Sequence, residues 1–442
     1  MDPLLLSYYG DDLTGSTDVM EALASRGVPT VLFTEAPTVE QRARFPDARA
    51  VGVAGTSRSE TPAWMDQHLA PALKALRDLK AAVTHYKVCS TFDSAPNVGN
   101  IGRAAELGAA AFGQDVVPVV VGAPQLRRYT AFGTLFAAFR GETYRIDRHP
   151  VMSRHSVTPM AEADLRRHLA AQTGRPVTLA DLAALAGPDP AAVVDRLLAT
   201  PDSLLLLDVA DPATQAEAGR QLWRLAQGGR RFAVGSSGVE YALLAEWQRL
   251  GLVPGRAGFA AVPRVERLAV VSGSCSPTTE AQIRTALADG FEGVALDPRD
   301  LIGPDRDAAV ARAVAAGAAI LERGGSVLAY TALGPSTDLG PGVEGERHRI
   351  GRGLGRILAG LVAAKGLTRA VVAGGDTSSH ALQELATAAL TTRMPLAASP
   401  GSPLCTAHSD SAAFDRLQIA FKGGQVGDDH YFSRIRDGFG AI

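Results

Sequence analysis

The chain has 442 residues, a length that predicts two or three domains. Its composition, with 46% hydrophobic and 20% charged residues and a formal net charge of -2, is that of a globular protein and does not favour binding to nucleic acid or to an anionic membrane. The cysteines are far apart and lack the spacing of a zinc site or a disulfide framework. With no signal peptide and no apolar stretch of about 18 residues, a cytoplasmic protein is expected.

Short apolar runs alternate with amphipathic stretches along the whole chain. The runs expected to form strands are residues 30–33, 50–53, 116–121, 204–207, 233–234, 268–271, 294–296, 326–330 and 370–372. The stretches expected to form helices are 62–79, 101–112, 162–173, 212–227, 280–289, 308–322, 353–365 and 380–390. Continuously apolar strands alternating with helices indicate parallel sheets covered on both faces, which is an α/β fold.

A segment rich in proline and glycine, residues 251–264, interrupts this alternation and has no hydrophobic period. We interpret it as a linker between two domains. The prediction is therefore two α/β domains with mainly parallel sheets, spanning residues 1–250 and 265–442, with the active site in a cleft between them.

The first notable loop, residues 9–18, follows an apolar run and precedes an amphipathic stretch. It places Asp11 and Asp12 just beyond the carboxyl end of a strand, where open α/β sheets bind ligands. Paired carboxylates there suit proton abstraction from a hydroxyl, metal binding or contact with a polyol. A helix cap without chemistry explains the same residues, and the pattern leaves both interpretations open.

Further polar loops follow other strands of the first domain. Arg58 lies in one of them and could hold a carboxylate in two hydrogen bonds, or could be an ordinary exposed arginine. The loop that begins at Lys87 carries several hydroxyl groups and runs into a predicted helix whose free N–H groups suit an anion. The segment 235–238 either closes the same pocket or simply turns the chain into a helix.

Small-residue loops follow three strands of the second domain, at 272–277, 374–379 and 421–427. Glycines let backbone amides approach phosphate oxygens, and Lys422 would neutralise phosphate charge. These loops predict a nucleotide phosphate cradle. The sequence lacks the GxxxxGK[ST] pattern of a P-loop and a well-placed GxGxxG, so neither a Walker A site nor a dinucleotide site is expected.

In the order and spacing of these loops the chain resembles the four-carbon acid sugar kinase family over nearly its whole length. The residues that carry the resemblance are 11–15, 87–91, 235–238, 272–276, 374–377, 400–403 and 422–424. The resemblance implies an N-terminal acid-sugar domain, a C-terminal ATP domain and phosphorylation of the terminal hydroxyl of a short sugar acid. ATP and Mg²⁺ are the implied cofactors.

The resemblance also implies roles for individual residues, although it does not identify the metal ligands. The implied catalytic residues are Asp11 and Asp12, and the sequence does not tell which is the base. Those implied to face the substrate are Arg58, Lys87, Val88, Cys89 and Ser90. Those implied to face the nucleotide are Ser274, Gly374, Gly375, Asp376, Thr377, Gly423 and Gly424.

One loop departs from the pattern of the family. Relatives read roughly Lys-Lys-Ile-Asp-Ser-Thr-Leu-Arg-Gly-Asn where this chain has residues 86–100, so Cys89 replaces an aspartate, an arginine is lost and the loop is longer. This version resembles a divergent branch that includes the 3-oxo-isoapionate kinases. The sequence therefore does not distinguish whether the acceptor is a tetronate, a 3-oxo-tetronate or a branched five-carbon acid.

Two other functions are compatible with the same motifs. The protein could be a sensor that binds sugar acids without catalysis, or an aldolase that forms a Schiff base on Lys87. The expected partners are a small sugar acid and ATP, with no nucleic acid and no membrane. Assembly into a homo-oligomer is left open by the sequence.

Overall fold

The computed structural model describes residues 3–155, 157–334 and 346–442. The chain forms two compact units, the first made of residues 1–31 and 35–257 and the second of residues 32–34 and 258–442. Within the described ranges, no helix is both long and apolar enough to span a membrane.

The first unit contains a parallel sheet. Its strands, with β2 shared between the two units, are β1 (Leu6–Gly10), β2 (Thr30–Phe33), β3 (Ala50–Ala54), β4 (Val83–Lys87), β5 (Val117–Val120), β9 (Val177–Ala180), β10 (Leu204–Leu207) and β11 (Phe232–Gly235). From β3 onward the order across the sheet is β3-β1-β4-β11-β5-β10-β9, with every neighbouring pair parallel. The strands are apolar on both faces because helices cover both sides.

Helices connect these strands. They are α1 (Leu13–Ser25), α2 (Val39–Ala43), α3 (Pro62–Trp64), α4 (Ala70–Asp78), α5 (Ile101–Phe112), α6 (Leu165–Ala170), α7 (Leu182–Leu185), α8 (Pro190–Leu197), α9 (Pro212–Gln227) and α10 (Gly238–Arg249). A π-helical turn, Met65–Leu69, joins α3 to α4, and short 3₁₀ turns occupy Ser57–Ser59, Pro124–Leu126, Ile146–Arg148 and Met152–Arg154.

A small antiparallel sheet is inserted after β5, where the sequence predicted no strands. It consists of β6 (Arg128–Ala131), β7 (Thr134–Phe139) and β8 (Glu142–Arg145) in that order. Its turns use Phe132 and Gly133, then Arg140 and Gly141, all at positive φ, as tight hairpin turns require. The strands are short and partly exposed, so their apolar pattern is weak.

The second unit contains a mixed sheet. Its strands are β12 (Ala269–Ser272), β13 (Phe291–Ala295), β14 (Ser326–Tyr330), β15 (Arg369–Ala373), β16 (Thr387–Met394), β17 (Leu404–Ser409) and β18 (Gln418–Lys422). The order is β13-β14-β12-β15-β18-β17-β16, and β17 is antiparallel to both its neighbours while the other pairs are parallel.

The helices of this unit pack beside its sheet. They are α11 (Pro277–Ala288), α12 (Pro298–Ile302), α13 (Arg306–Glu322), α14 (Arg347–Lys365), α15 (Gly375–Glu384) and α16 (Tyr431–Asp437). The helix predicted over 380–390 was wrong at both ends, because α15 begins at Gly375 and the chain has entered β16 by Thr387. The predicted α/β class with mainly parallel sheets is confirmed.

Candidate functional site

The carboxyl ends of neighbouring strands lie side by side in the first unit. Gly10 is in register with both Ala54 and Lys87, and Lys87 is in register with Gly235. The loops that follow β1, β3, β4 and β11 therefore leave the sheet at one edge, where open α/β sheets bind ligands. The structure thus brings together the acidic loop, Arg58, Lys87 and the segment 235–238.

Asp12 is the N-cap of α1. Its Oδ1 accepts a hydrogen bond from the backbone N–H of Gly15 at 2.5 Å, and its Oδ2 accepts one from the Thr14 hydroxyl at 3.1 Å. The same Oδ2 accepts a hydrogen bond from Nη1 of Arg58 at 2.9 Å. The capping interpretation and the functional one are therefore both compatible with Asp12, whose oxygens already have partners.

Arg58 is held between two carboxylates. While its Nη1 contacts Asp12, its Nη2 donates to both oxygens of Asp93, at 3.0 and 2.9 Å. Asp93 also accepts hydrogen bonds from the hydroxyls of Thr91 and, at 3.1 Å, of Thr158. Burial opposes ionisation of Asp93, but the charge of Arg58 and the hydrogen bonds from Thr91 and Arg58 lower the pKa of Asp93 to about 2. The Arg58–Asp93 pair is therefore ionised across the physiological range.

Asp11 differs from Asp12 in having an unused oxygen. The residue is 4% exposed, and its Oδ1 is buried without a hydrogen-bond donor among the described residues. Burial, helped by the negative charge of Asp12, raises the pKa of Asp11 to about 7, although Arg58 and Lys87 act in the opposite direction. A carboxylate with a pKa near neutrality and a free lone pair is suited to accept a proton from a bound hydroxyl.

Lys87 ends β4 with its side chain buried. Its Nζ donates to the carbonyl oxygen of Val88 at 3.0 Å and lies 3.9 Å from Oδ2 of Asp18, which also accepts a hydrogen bond from the Ser237 hydroxyl at 2.6 Å. Burial opposes the charge of Lys87, but Asp18 and Asp11 raise its pKa above the usual value. Lys87 is therefore a fixed cation beside Asp11.

Gly15 occupies the point on which these groups converge. A Cβ added there would lie 2.7 Å from Oδ1 of Asp12, 3.1 Å from Nζ of Lys87 and 3.7 Å from Oδ1 of Asp11. Two carboxylates and an ammonium group thus face the bare backbone of one glycine. The absence of a side chain lets these groups approach the backbone closely.

The remaining substrate candidates of this unit lie just beyond Lys87. Val88 is buried, and its N–H donates to the carbonyl of Gly235 at 2.7 Å, so it links β4 to β11. Cys89 is a half-buried free thiol whose sulfur accepts a hydrogen bond from the Thr91 hydroxyl at 3.0 Å. Ser90 is half-buried on the turn that follows. Thus Cys89 and Ser90 are the two that remain partly accessible.

The second unit brings its small-residue loops together in the same way. Ser272 is in register with Ala373, and Ala373 with Lys422, so β12, β15 and β18 end side by side. The Ser274 hydroxyl lies 3.0 Å from that of Thr279. Loop 422–424 reaches the same place, since a Cβ at Gly424 would lie 3.3 Å from Oγ of Ser274.

The start of α15 has the geometry of an anion site. Gly374, its N-cap, has φ of +118°, a conformation open to glycine, and provides no side-chain cap for the first N–H groups. A Cβ added at Gly375 would meet no atom within 4 Å, whereas a Cβ at Gly273 would lie 2.4 Å from Oγ1 of the buried Thr377. The side chain of Asp376 lies outside the part of the chain that is described. Free amides at a helix N-terminus favour phosphate.

Lys422 is a buried cation that contacts only neutral oxygens among the described side chains and backbone. Its Nζ donates to Oγ1 of Thr279 and to the carbonyl of Gly423, both at 2.9 Å. Burial lowers the pKa of Lys422 to about 7. An anion placed near this amine would restore its charge.

Several of these contacts have no signal in the sequence. Asp93 stands in the loop after Lys87, but nothing in the spacing predicts its pairing with Arg58. Thr158 lies in a distant segment but contacts the same cluster. The position of Asp18 in the sequence is equally compatible with a helix cap. In the described residues, no group of three or more histidine, cysteine, aspartate or glutamate side chains is placed to hold a metal ion.

Family models match both halves of the chain. Residues 6–243 match a sugar-binding N-terminal domain, and residues 269–432 match a nucleotide-binding C-terminal domain. The chain belongs to the four-carbon acid sugar kinase family. In this family, the 3-oxo-isoapionate kinase of Paraburkholderia graminis is 47% identical, with 98% of this chain and 94% of the relative covered.

A second relative in the family is more distant. The 3-oxo-tetronate kinase of Cupriavidus necator is 32% identical over 97% of this chain and 95% of its own. Among solved structures, a protein of Salmonella typhimurium LT2 described as a putative tRNA synthase has a TM-score of 0.76, with 22% identity and 98% of both chains covered. That likeness supports the fold alone.

Proposed function

We infer that this protein is a sugar-acid kinase, which transfers the γ-phosphoryl group of ATP to the terminal hydroxyl of a short sugar acid. The relatives that cover nearly its whole length are kinases of such acids. The observation that carries the assignment within this chain is Asp11, a buried carboxylate with a free oxygen beside the fixed cation Lys87. We assign acceptor binding to residues 1–250 and nucleotide binding to residues 265–442.

We propose Asp11 as the base. Phosphoryl transfer needs positioning and charge neutralisation more than covalent chemistry, so one carboxylate that orients and deprotonates the acceptor hydroxyl is sufficient. Asp12 fits this role less well because both of its oxygens already accept hydrogen bonds, one of them as the cap of α1. Asp12 and Asp93 would instead fix the position of Arg58 beside the acceptor.

The nucleotide role rests on the convergent loops of the second unit. The uncapped amides at the start of α15 and the amine of Lys422 suit phosphate, and the bare backbones of Gly423 and Gly424 allow close approach. The hydroxyls of Ser274 and Thr377 face the same loops. Mg²⁺, when bound with ATP, would neutralise phosphate charge.

The relatives favour a branched 3-oxo acid as the acceptor. The relative that is 47% identical is named for 3-oxo-isoapionate, whereas the 32% identical one is named for a 3-oxo-tetronate. Cys89, which is half-buried, stands where relatives have an aspartate, so a smaller and uncharged side chain faces the acceptor and leaves room for a branch.

Coupled ADP release with a panel of acids tests this proposal. The panel should contain tetronates, 3-oxo-tetronates and 3-oxo-isoapionate at equal concentrations, and the branched acid should give the highest kcat/KM. ADP release that no acid stimulates would contradict the kinase assignment. A preference for a four-carbon acid would leave the kinase in place and overturn the choice of acceptor.

Replacing Gly15 by alanine tests the acceptor site separately. The new methyl group would displace the carboxylate of Asp12 and the amine of Lys87 from their positions and should lower kcat/KM for the acid about tenfold, while KM for ATP stays unchanged. Gly174→Ala is the matched control, since nothing lies within 4 Å of a Cβ at Gly174. Equal kinetics of the two variants would show that the acceptor does not depend on these positions.

The aldolase alternative conflicts with the state of Lys87. A Schiff base requires a neutral amine, but Asp18 and Asp11 stabilise the charged form of this lysine and raise its pKa. The sensor alternative predicts binding of the acid without ADP release, and the same assay distinguishes it.

A further inference from the structure

The cations of the acceptor site are already neutralised by the protein itself. Arg58 contacts the carboxylates of Asp12 and Asp93, and Lys87 lies 3.9 Å from Asp18. A substrate carboxylate that bound to either cation would have to compete with these internal partners. A cation without such a partner would attract the negative charge of a sugar acid more strongly.

Arg128, the first residue of β6, has no such partner. Its Nη1 donates to the carbonyl oxygen of Leu126 at 2.9 Å, with longer contacts to the carbonyls of Arg127 and Ala138 at 3.3 and 3.4 Å. Its Nε is buried and finds no acceptor, and no carboxylate forms an ion pair with it within the described ranges. Leaving a buried charge unpaired costs free energy, which a bound anion would recover.

The position of Arg128 connects it to the acceptor site. β5 ends beside β11, with Val120 in register with Gly235, and Gly235 is in register with Lys87 at the end of β4. Ala123, just beyond β5, exchanges backbone hydrogen bonds with Arg128 at 2.9 and 3.1 Å, so Arg128 lies in a loop at the same edge of the sheet.

The titratable groups that act on Arg128 or respond to it are Cys89, Arg127, Tyr129 and His149, and none of them is a carboxylate. Nδ1 of His149 accepts hydrogen bonds from the backbone N–H groups of Val151 and Met152.

We propose that Arg128 binds the carboxylate of the sugar acid and so determines the specificity of this kinase for acids over neutral sugars. An arginine can hold a carboxylate in two parallel hydrogen bonds, and the free Nε is one of the two donors that this geometry uses. The proposal rests on the proposed kinase function. It assigns to Arg128 the contact that the sequence predicted for Arg58 and Lys87.

The test compares each acid with its primary carboxamide, a neutral analogue of the same shape. In the unmodified kinase the acid should have the higher kcat/KM, and Arg128→Met should reduce this preference about 30-fold, mainly through KM for the acid. KM for ATP should not change. Because both compounds are measured on the same preparation, partial unfolding of a variant cancels in the ratio.

Two further variants complete the experiment. Arg128→Lys retains the charge and should keep part of the preference, and Arg127→Met removes the neighbouring exposed arginine and should keep all of it. An unchanged preference in Arg128→Met, or an equal loss in Arg127→Met, would overturn the proposal. If the unmodified protein phosphorylates no acid, it is the kinase function that fails.

Discussion

Replacing Asp11 by asparagine should lower kcat for sugar-acid phosphorylation on the order of 1,000-fold, with little change in KM for ATP. Asparagine has nearly the same shape but cannot accept the proton of the acceptor hydroxyl. Steady-state ADP release measures the loss. Asp12→Asn is the matched control: asparagine still caps α1 but weakens the ion pair with Arg58 and the hydrogen bond from Thr14, and a loss of about tenfold is expected.

The pH dependence of kcat/KM in the unmodified enzyme should also show the titration of Asp11. Since the pKa of Asp11 is raised to about 7, its base form is scarce at lower pH, and kcat/KM should rise about tenfold per pH unit up to pH 7 and then level off. Asp11→Asn should lack this rise. If Asp12→Asn has the larger effect and removes the rise, Asp12 is the base instead.

Measuring the free energy of unfolding of Asp11→Asn distinguishes a loss of catalysis from a loss of folded protein. The carboxyl of Asp11 ionises near pH 7 in the folded chain but near pH 4 when unfolded, so the folded state loses stability as pH rises between these values. Asp11→Asn removes this cost, and its free energy of unfolding should exceed that of the unmodified protein at pH 8 but not at pH 4. Urea unfolding at the two pH values provides the measurement.

The sequence was sufficient to place the loops of the site but not to assign roles within them. Parallel strands end at one edge of a sheet, so the loops at Asp11, Arg58 and Lys87 could be predicted to meet. Asp11 and Asp12 differ because Asp11 has a buried oxygen, Oδ1, without a donor among the described residues, whereas both oxygens of Asp12 accept hydrogen bonds. Two adjacent positions in one loop do not reveal this difference in the sequence.

Other parts of the structure depend on contacts between distant segments. The sheet of β6, β7 and β8, which supplies Arg128, has short strands with weak alternation and lies where no strand was predicted. The hydrogen bond from Thr158 to Asp93 joins residues 65 positions apart. In the second unit, β16 was predicted as the end of a helix because its pairing with β17 is not visible in local propensity.

Replacing Lys422 by methionine should weaken ATP binding about 100-fold, because its buried amine lies among the converging glycine loops. In the absence of nucleotide its partners are the neutral oxygens of Thr279 and Gly423, and burial holds its pKa at about 7. Phosphate oxygens placed beside the amine would raise that pKa. Above pH 7, ATP binding should therefore take up a proton at Lys422, and the affinity for ATP should fall as pH rises.

Calorimetry measures both effects in the full-length protein. Titrations with ATP at pH 8 in two buffers of different ionisation enthalpy give the number of protons taken up, which should be clearly positive for the unmodified chain and close to zero for Lys422→Met. Lys365→Met makes the same substitution on α14, where the lysine pairs with Glu322, and should keep both the affinity and the proton uptake. A Lys422→Met variant that binds ATP with unchanged affinity would show that the phosphates lie elsewhere. Equal proton uptake in that variant would show that another group titrates, since methionine cannot accept a proton.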